Sequence, residues 1–168
     1  MSAKASQAGK KGFILRKGIS TRNDLDNAPV TITAATVTLD SATHGNRIVQ
    51  LSRAAGIAVT LPLATGSGDL YRLHVKTTFT GASTIKVASA ADELQGNAIL
   101  FADGGATVVG FAAADNDDTI DLLGTSNSTG GMLGGYYELE DIGVGFWRVM
   151  IVSDAGGTEA TPFSATVS

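Results

Sequence analysis

The amino-acid sequence predicts an all-β protein, namely an antiparallel sandwich, a jelly roll or a barrel-like single domain with an extended N-terminal arm. Short runs of alternating apolar and polar residues predict strands that bury one face. These runs recur about every 10 residues, a spacing typical of all-β chains. The 21 glycines and the charged fraction of 17% are typical of short strands joined by tight turns. No stretch has the apolar spacing of an amphipathic helix.

The first half of the predicted sheet contains six candidate strands, at residues 30–33, 36–39, 46–53, 57–61, 70–78 and 84–87. The first two alternate regularly between apolar and polar residues, and the third does so more loosely. The fourth ends at Pro62, which has no N–H to donate to a ladder. In the fifth, apolar side chains share one face, whereas His74 and its basic neighbours share the other. Gly81 marks the turn before the sixth.

The second half contains five further candidate strands, at residues 99–101, 107–111, 119–123, 136–139 and 145–152. Gly104 and Gly105 predict a hairpin between the first two. Residues 92–97 are predicted to form a loop or one helical turn, and residues 126–135 a loop rich in Gly, Ser and Thr. No clear internal repeat is visible along the chain.

Charge divides the chain into a basic arm (residues 1–22), a β-rich body (23–155) and a small, polar C-terminal tail (156–168). The arm holds six of the twelve Lys and Arg residues and no Asp or Glu, whereas the remaining residues carry six basic and sixteen acidic groups. Because the arm has too few apolar residues to bury itself, it is expected to gain order only against a partner. The absence of Cys excludes disulfides and thiolate metal sites.

The arm supplies the candidate attachment segment, in which cations frame an apolar trio. Its candidate binding residues are Lys10, Lys11, Phe13, Ile14, Leu15, Arg16 and Lys17. Such a segment can add a strand to an exposed sheet edge, with pockets for its apolar side chains. The sequence favours an acidic protein surface over nucleic acid as the partner, because the acidic body would repel phosphate.

Nothing in the sequence demands chemistry, and the chain is predicted to be non-enzymatic and without a cofactor. Asp115, Asp117 and Asp118 are the best cation candidates, because oxygen ligands at i and i+2 can converge on Ca²⁺. They lack the Gly and Glu of a full calcium loop, so a hydrated acidic hairpin is the favoured alternative and no metal is predicted. Glu138 and Glu140 are expected to lie on a solvated strand face.

The aromatic pair Phe146 and Trp147 is the candidate for a subunit interface. If their strand is regular, the two rings face opposite sides, so one belongs to the core and the other is free for a contact. A membrane role is not predicted, because the longest stretch of low polarity, residues 108–114, is too short to span a bilayer.

Several turn-and-strand phrases resemble small β-rich virion proteins of tailed bacteriophages. The main one is residues 59–68 (VTLPLATGSG), and the likeness extends to residues 71–75, 85–87, 145–149 and 161–164. The chain resembles head decoration (cement) proteins, and less closely the small modules of phage fibres. The resemblance implies a homotrimeric β-protein, made in the host cytoplasm, that sits on the outer capsid. Its partner would be the major capsid protein, bound at three-fold or quasi-three-fold positions.

The leading interpretation is therefore a structural virion protein that stabilises a capsid by clamping neighbouring capsomers. One alternative is a structural module of a phage tail or fibre, which would place the arm on tail machinery. The other is a carbohydrate-binding β-sandwich, which requires an aromatic-faced or Ca²⁺-dependent sugar site.

Overall fold

The structure, a computed structural model, describes residues 28–102, 105, 107–122 and 127–167. These residues form one short helix and twelve strands. In chain order the elements are β1 (Val30–Ile32), β2 (Thr36–Thr38), α1 (Ser41–His44), β3 (Ile48–Leu51), β4 (Ala58–Thr60), β5 (Leu70–Val75), β6 (Ser83–Lys86), β7 (Glu93–Ala102), β8 (Thr107–Ala112), β9 (Thr119–Leu122), β10 (Tyr136–Gly143), β11 (Phe146–Ala155) and β12 (Phe163–Ser164). Among the described residues, no helix is both long enough and apolar enough to cross a membrane.

The strands form two sheets that pack face to face, which confirms the predicted all-β sandwich. The larger sheet has the order β1-β3-β5-β10-β11-β7-β8, and the smaller has the order β12-β9-β6-β4-β2. Neither sheet closes into a barrel within the described ranges. One apolar core lies between them, and its largest buried side chains are Trp147, Tyr71, Tyr137 and Phe79.

The sheets are mixed, whereas the sequence analysis predicted antiparallel pairing. From β1 to β6 the chain alternates between the sheets, so that each strand lies parallel to the one before it in the same sheet. The chain therefore winds as a coil, and Val30, Val49 and Leu73 stack in register across the larger sheet. Antiparallel pairing begins only with the later strands, as between β10 and β11. Period-2 alternation says which face of a strand is buried but not which strand lies beside it.

The coil also explains why the sequence shows no repeat. Stacked positions are 19 and then 24 residues apart in the larger sheet, from Val30 to Val49 to Leu73. In the smaller sheet they are 22 and then 26 apart, from Val37 through Val59 to Ile85. Turns of unequal length stack in space without a constant sequence period.

Two parts of the chain differ from their predicted structure. Residues 92–97, predicted as a loop or helical turn, mostly belong to β7, which pairs in parallel with β11 along its whole length. Part of the predicted tail belongs to the sandwich, because β12 pairs with β9. The Asp118 carboxylate also accepts hydrogen bonds from the N–H groups of Thr166 and Val167.

Candidate functional site

A cavity of about 370 Å³ opens at one end of the sandwich, where β5 and β11 begin and β10 ends. We call it the tip cavity. Its lining residues are Leu39, Asp40, Ser41, Pro62, Leu63, Thr65, Ser67, Asp69, Tyr71, Asp141 and Trp147. The smaller sheet contributes the segments that follow β2 and β4, so the cavity is built where the coil crosses between sheets.

Asp141 holds one wall of the tip cavity together. Its carboxylate accepts hydrogen bonds from three consecutive backbone N–H groups, those of Thr65 (3.0 Å), Gly66 (2.7 Å) and Ser67 (3.0 Å). The hydroxyls of Thr65 and Ser67 donate to it as well, at 3.1 and 2.8 Å. Gly66 and Gly68 both have φ of +76°, which suits glycine and lets the loop curl around the carboxylate.

These hydrogen bonds set the charge state of Asp141. Burial acts to raise the pKa of this carboxyl, but the donors of Ser67, Thr65 and Gly66 outweigh it and lower the pKa to about 2. The residue stays ionised at neutral pH although only 2% of it is exposed. Asp141 is therefore a structural anion that shapes the loop at residues 65–68.

Two aromatic rings form the floor of the tip cavity. The centroids of Tyr71 and Trp147 lie 5.8 Å apart, with ring planes tilted by 60°, an arrangement typical of favourable aromatic pairs. Only 1% of Trp147 is exposed, and its indole Nε1–H has no hydrogen-bond partner in the described part of the chain. A buried donor without an acceptor is costly, and this one lies within the packed core beneath the cavity.

The charge of the tip cavity is negative. Three carboxylates line it, from Asp40, Asp69 and Asp141, and no Lys or Arg is among the lining residues. Burial first, and then the charges of Asp69, Asp40 and Asp141, raise the pKa of Tyr71 to about 12. Asp40 caps α1 by accepting from the Thr43 N–H at 2.7 Å. Asp69 is the carboxylate for which no hydrogen bond is found within the described ranges.

Exposed apolar side chains lie at the same end of the sandwich as the tip cavity, and one of them, Leu63, also lines it. Leu63 and Val144 are 58% and 79% exposed, and Ile142 and Phe146 are exposed beside them on the β10–β11 hairpin. A β-bridge between Thr65 and Val144 joins the hairpin to the loop that carries Leu63. We call these four residues the apolar rim.

A second apolar surface lies on the outer face of the larger sheet. Register places Val108 beside Phe101 and Val152 beside Ile99, with Met150 next along the same face of β11. We call these five residues the outer patch. Val108, Met150 and Ile99 are exposed, which is unusual for neighbouring large apolar side chains on a monomer. The patch ends at β8, an edge strand with no charged residue.

The predicted site residues are distributed as follows. The arm candidates Lys10, Lys11, Phe13, Ile14, Leu15, Arg16 and Lys17 lie outside the described residues. Phe146 is exposed and Trp147 is buried, so the two rings face opposite sides as predicted. Trp147 is thereby removed from the candidate subunit interface, and Phe146 remains in it.

The acidic candidates do not converge on one point, and the predicted hairpin is wrong, because their segment joins β8 of the larger sheet to β9 of the smaller sheet. Asp118 is buried and directs its carboxylate to the end of the chain, whereas Asp115 is exposed and Asp117 accepts from the Ala114 N–H. In the described part of the chain, no group of three or more His, Asp or Glu side chains is placed to hold a metal ion.

Neither histidine nor the Glu138–Glu140 pair forms a catalytic arrangement. His44 is buried in α1 beside Asp40, and His74 lies on the outer face of β5. Glu138 and Glu140 share the outer face of β10, as predicted. There Arg148 Nη2 lies 3.6 Å from Glu138 Oε1 and 2.8 Å from Glu140 Oε2. Arg72 Nε lies 3.5 Å from Glu138 Oε2.

Sequence reasoning missed Asp141, although a signal for it was present. Tyr137, Leu139 and Asp141 are spaced by two and therefore face the same way along β10, into the core. Asp141 was nevertheless not among the candidate site residues predicted from the sequence. The strand keeps its register to Asp141, and its irregularity follows between Asp141 and Gly143.

Comparison of the chain with protein-family models, with curated proteins and with solved structures found no match.

Proposed function

We propose that this chain is a structural virion protein that binds the outer surface of a phage capsid and clamps neighbouring capsomers. The observation that carries the proposal is where residues 59–68 lie in the fold. The phrase on which the resemblance to decoration proteins rests builds the loop held by Asp141, and its Leu63 belongs to the exposed apolar rim. A loop that is held by hydrogen bonds and presents Leu63 to solvent is suited to a permanent partner, because a restrained loop loses little conformational entropy on binding.

Attachment would combine the body with the basic arm. Residues 10–19 would add a strand to an exposed edge of the capsid protein, with Phe13, Ile14 and Leu15 in pockets and the cations steering approach. In a trimer, three weak arms act as one tight attachment because the first contact raises the effective concentration of the other two.

Co-sedimentation with expanded heads of the phage that encodes the chain tests this proposal. The full-length protein is expected to pellet with heads at many copies per particle, whereas a fibre or tail module would bind at few. A variant with Lys10, Lys11, Arg16 and Lys17 all changed to Gln should keep its fold and lose most head binding. Unchanged binding by that variant would refute the role given to the arm.

The outer patch is the surface that best fits contact between copies of this chain. We expect the wild-type protein to form trimers, and Val108→Lys to weaken them by about 30-fold or more, since it places a charge in a desolvated apolar contact. The matched control is Leu133→Lys, which makes the same kind of change at an exposed apolar residue outside the patch. Analytical ultracentrifugation measures the result; trimers that survive Val108→Lys unchanged would place the contact elsewhere.

The carbohydrate-binding alternative has less support. Sugar sites in β-sandwiches present an aromatic ring face to the ligand, and Trp147, the chain's one tryptophan, is almost fully buried. Binding of simple saccharides to the isolated protein, measured by calorimetry with and without Ca²⁺, would revive that alternative.

A further inference from the structure

We propose that the edge of β8 pairs with the same edge of a second copy of this chain, with the two strands antiparallel about a two-fold axis at Gly110. This contact lies in the plane of the larger sheet and uses backbone groups. It is separate from the contact assigned above to the outer patch, which uses side chains that stand out from that plane. Neither contact requires the other.

β8 differs from the other strands that end the two sheets. Within the described ranges, the sheets end at β1, β8, β12 and β2. β1 and β2 are three residues long, and β12 is two residues long with Pro162 directly before it. β8 has six residues, none of them charged and none proline. Shortness, charge and proline keep sheet edges from pairing with other chains, and β8 has none of these protections.

The hydrogen bonding to β7 shows which backbone groups of β8 point away from the sheet. Ala113 continues the register of β8 and donates its N–H to the Gly96 carbonyl at 3.0 Å. In an antiparallel pair, alternate residues direct both backbone groups to the same neighbour. Three exposed residues of β8 therefore turn their N–H and C=O groups away from β7: Val108, Gly110 and Ala112.

These outward groups are arranged symmetrically about Gly110. When two copies of β8 meet antiparallel at that residue, Gly110 lies opposite Gly110 and Val108 lies opposite Ala112. Each facing pair can exchange both backbone hydrogen bonds, so the two-fold axis leaves none of the three residues unpaired. An axis at Val109 would instead place Ala112 beyond the end of the partner strand.

The side chains on the core side of β8 also favour a second copy. Register with β7 places Val109 and Phe111 on that side, and both are half-buried. Pairing about Gly110 sets Val109 of each copy directly opposite Phe111 of the other, in the type of pair where side chains come closest. Aromatic and β-branched residues stabilise each other in such cross-strand pairs.

Charge favours a second copy over a basic segment. Outside residues 1–22 the chain carries six basic and sixteen acidic groups, so copies of the body repel one another over most of their surface. β8 has no charged side chain and lets two copies approach without a pair of like charges. A basic segment such as residues 10–19 would find no carboxylate on β8.

Hydrogen exchange of the full-length protein tests the inference on the unaltered chain, with each amide followed by NMR at micromolar and near-millimolar protein. We expect the amides of Val108, Gly110 and Ala112 to exchange about 10-fold more slowly at the higher concentration, because pairing between copies follows mass action. The Thr38 amide, on the edge strand β2, is the internal control and should exchange at the same rate in both samples.

Gly110→Pro supplies a second test, with Gly110→Ala as its matched control. Proline removes the N–H at the two-fold axis and spares the hydrogen bonds to β7, and sheet edges accept proline where its missing N–H faces outward. In sedimentation velocity at high concentration, wild type and Gly110→Ala should form a species of twice the mass seen at low concentration. Gly110→Pro should form none. The doubling is expected whether the smaller species is one chain or a trimer, so this contact and the outer-patch contact fail separately.

Two results would overturn the inference: exchange at the three amides that does not slow with concentration, or mass doubling that survives in Gly110→Pro. Protection that is independent of concentration and disappears when residues 1–22 are removed would assign the edge to the chain's own arm instead. If Gly110→Pro does not fold, the exchange rates of the unaltered chain decide. None of these measurements involves capsids, so the inference and the proposed function can fail independently.

Discussion

Gly96→Ala is expected to lower the free energy of unfolding by more than about 3 kcal/mol, because it sets a side chain against the backbone of the neighbouring strand. A Cβ at this position would lie 1.9 Å from the Val149 carbonyl oxygen, and the backbone φ of +154° is unfavourable for L residues. The clash cannot be relieved by turning a side chain. The added side chain would have to push β7 away from β11. These two strands pair along ten residues of the larger sheet, in which β7 lies between β11 and β8.

Urea unfolding followed by circular dichroism measures this effect. The control is Gly110→Ala on β8, where the nearest atom would be the Ala98 carbonyl oxygen at 4.0 Å and φ is not positive. That change should alter stability by less than about 0.5 kcal/mol. If Gly96→Ala cannot be recovered in folded form while Gly110→Ala can, the expectation is met; a loss below about 1 kcal/mol would contradict the pairing described here for β7.

Asp141→Asn is expected to cost about 2–4 kcal/mol of stability, although the two side chains have nearly the same shape. The carboxylate accepts hydrogen bonds from three backbone N–H groups and two hydroxyls of the loop at residues 65–67. An amide keeps one acceptor oxygen and turns an NH₂ group toward the remaining donors. The loop should loosen, and with it the wall of the tip cavity.

Thermal unfolding compares this variant with Asp154→Asn, which removes a charge from an exposed position and should be nearly neutral. Because Trp147 lines the same cavity as Asp141, its fluorescence should also report loosening of the loop in Asp141→Asn alone. Equal melting temperatures for the two variants would show that the hydrogen bonds to Asp141 contribute little.

The contribution of Asp141 should also depend on pH in a defined direction. Its pKa is lowered from 3.8 to about 2 in the folded chain, so the unfolded chain binds the proton first as pH falls. The stabilisation is therefore complete above pH 3.8 and is lost progressively as pH falls through about 2. Melts of wild type and Asp141→Asn between pH 7 and pH 2 should converge only in that acidic window. If the melting temperatures of the two proteins converged near neutral pH, the lowered pKa of Asp141 would be contradicted.

The sequence alone was enough to predict most strands and the face that each one buries. The alternation in residues 70–75 and 146–152 depends on the geometry of a single strand, in which successive side chains point to opposite sides. The burial of Trp147 beneath an exposed Phe146 follows from the same local rule. The division of charge between arm and body is likewise a property of the sequence alone.

Only the tertiary structure decided which strands lie side by side and which distant residues meet at the tip cavity. The parallel coil from β1 to β6 depends on contacts about 20 residues apart, and alternation does not say which strand a given strand will join. β7 forms through residues with little strand pattern of their own because β11 supplies its partner. The role of Asp141 depends on a loop more than 70 residues earlier in the chain. Local residue pattern determines the orientation of side chains, whereas long-range packing brings together the tip cavity and its three carboxylates.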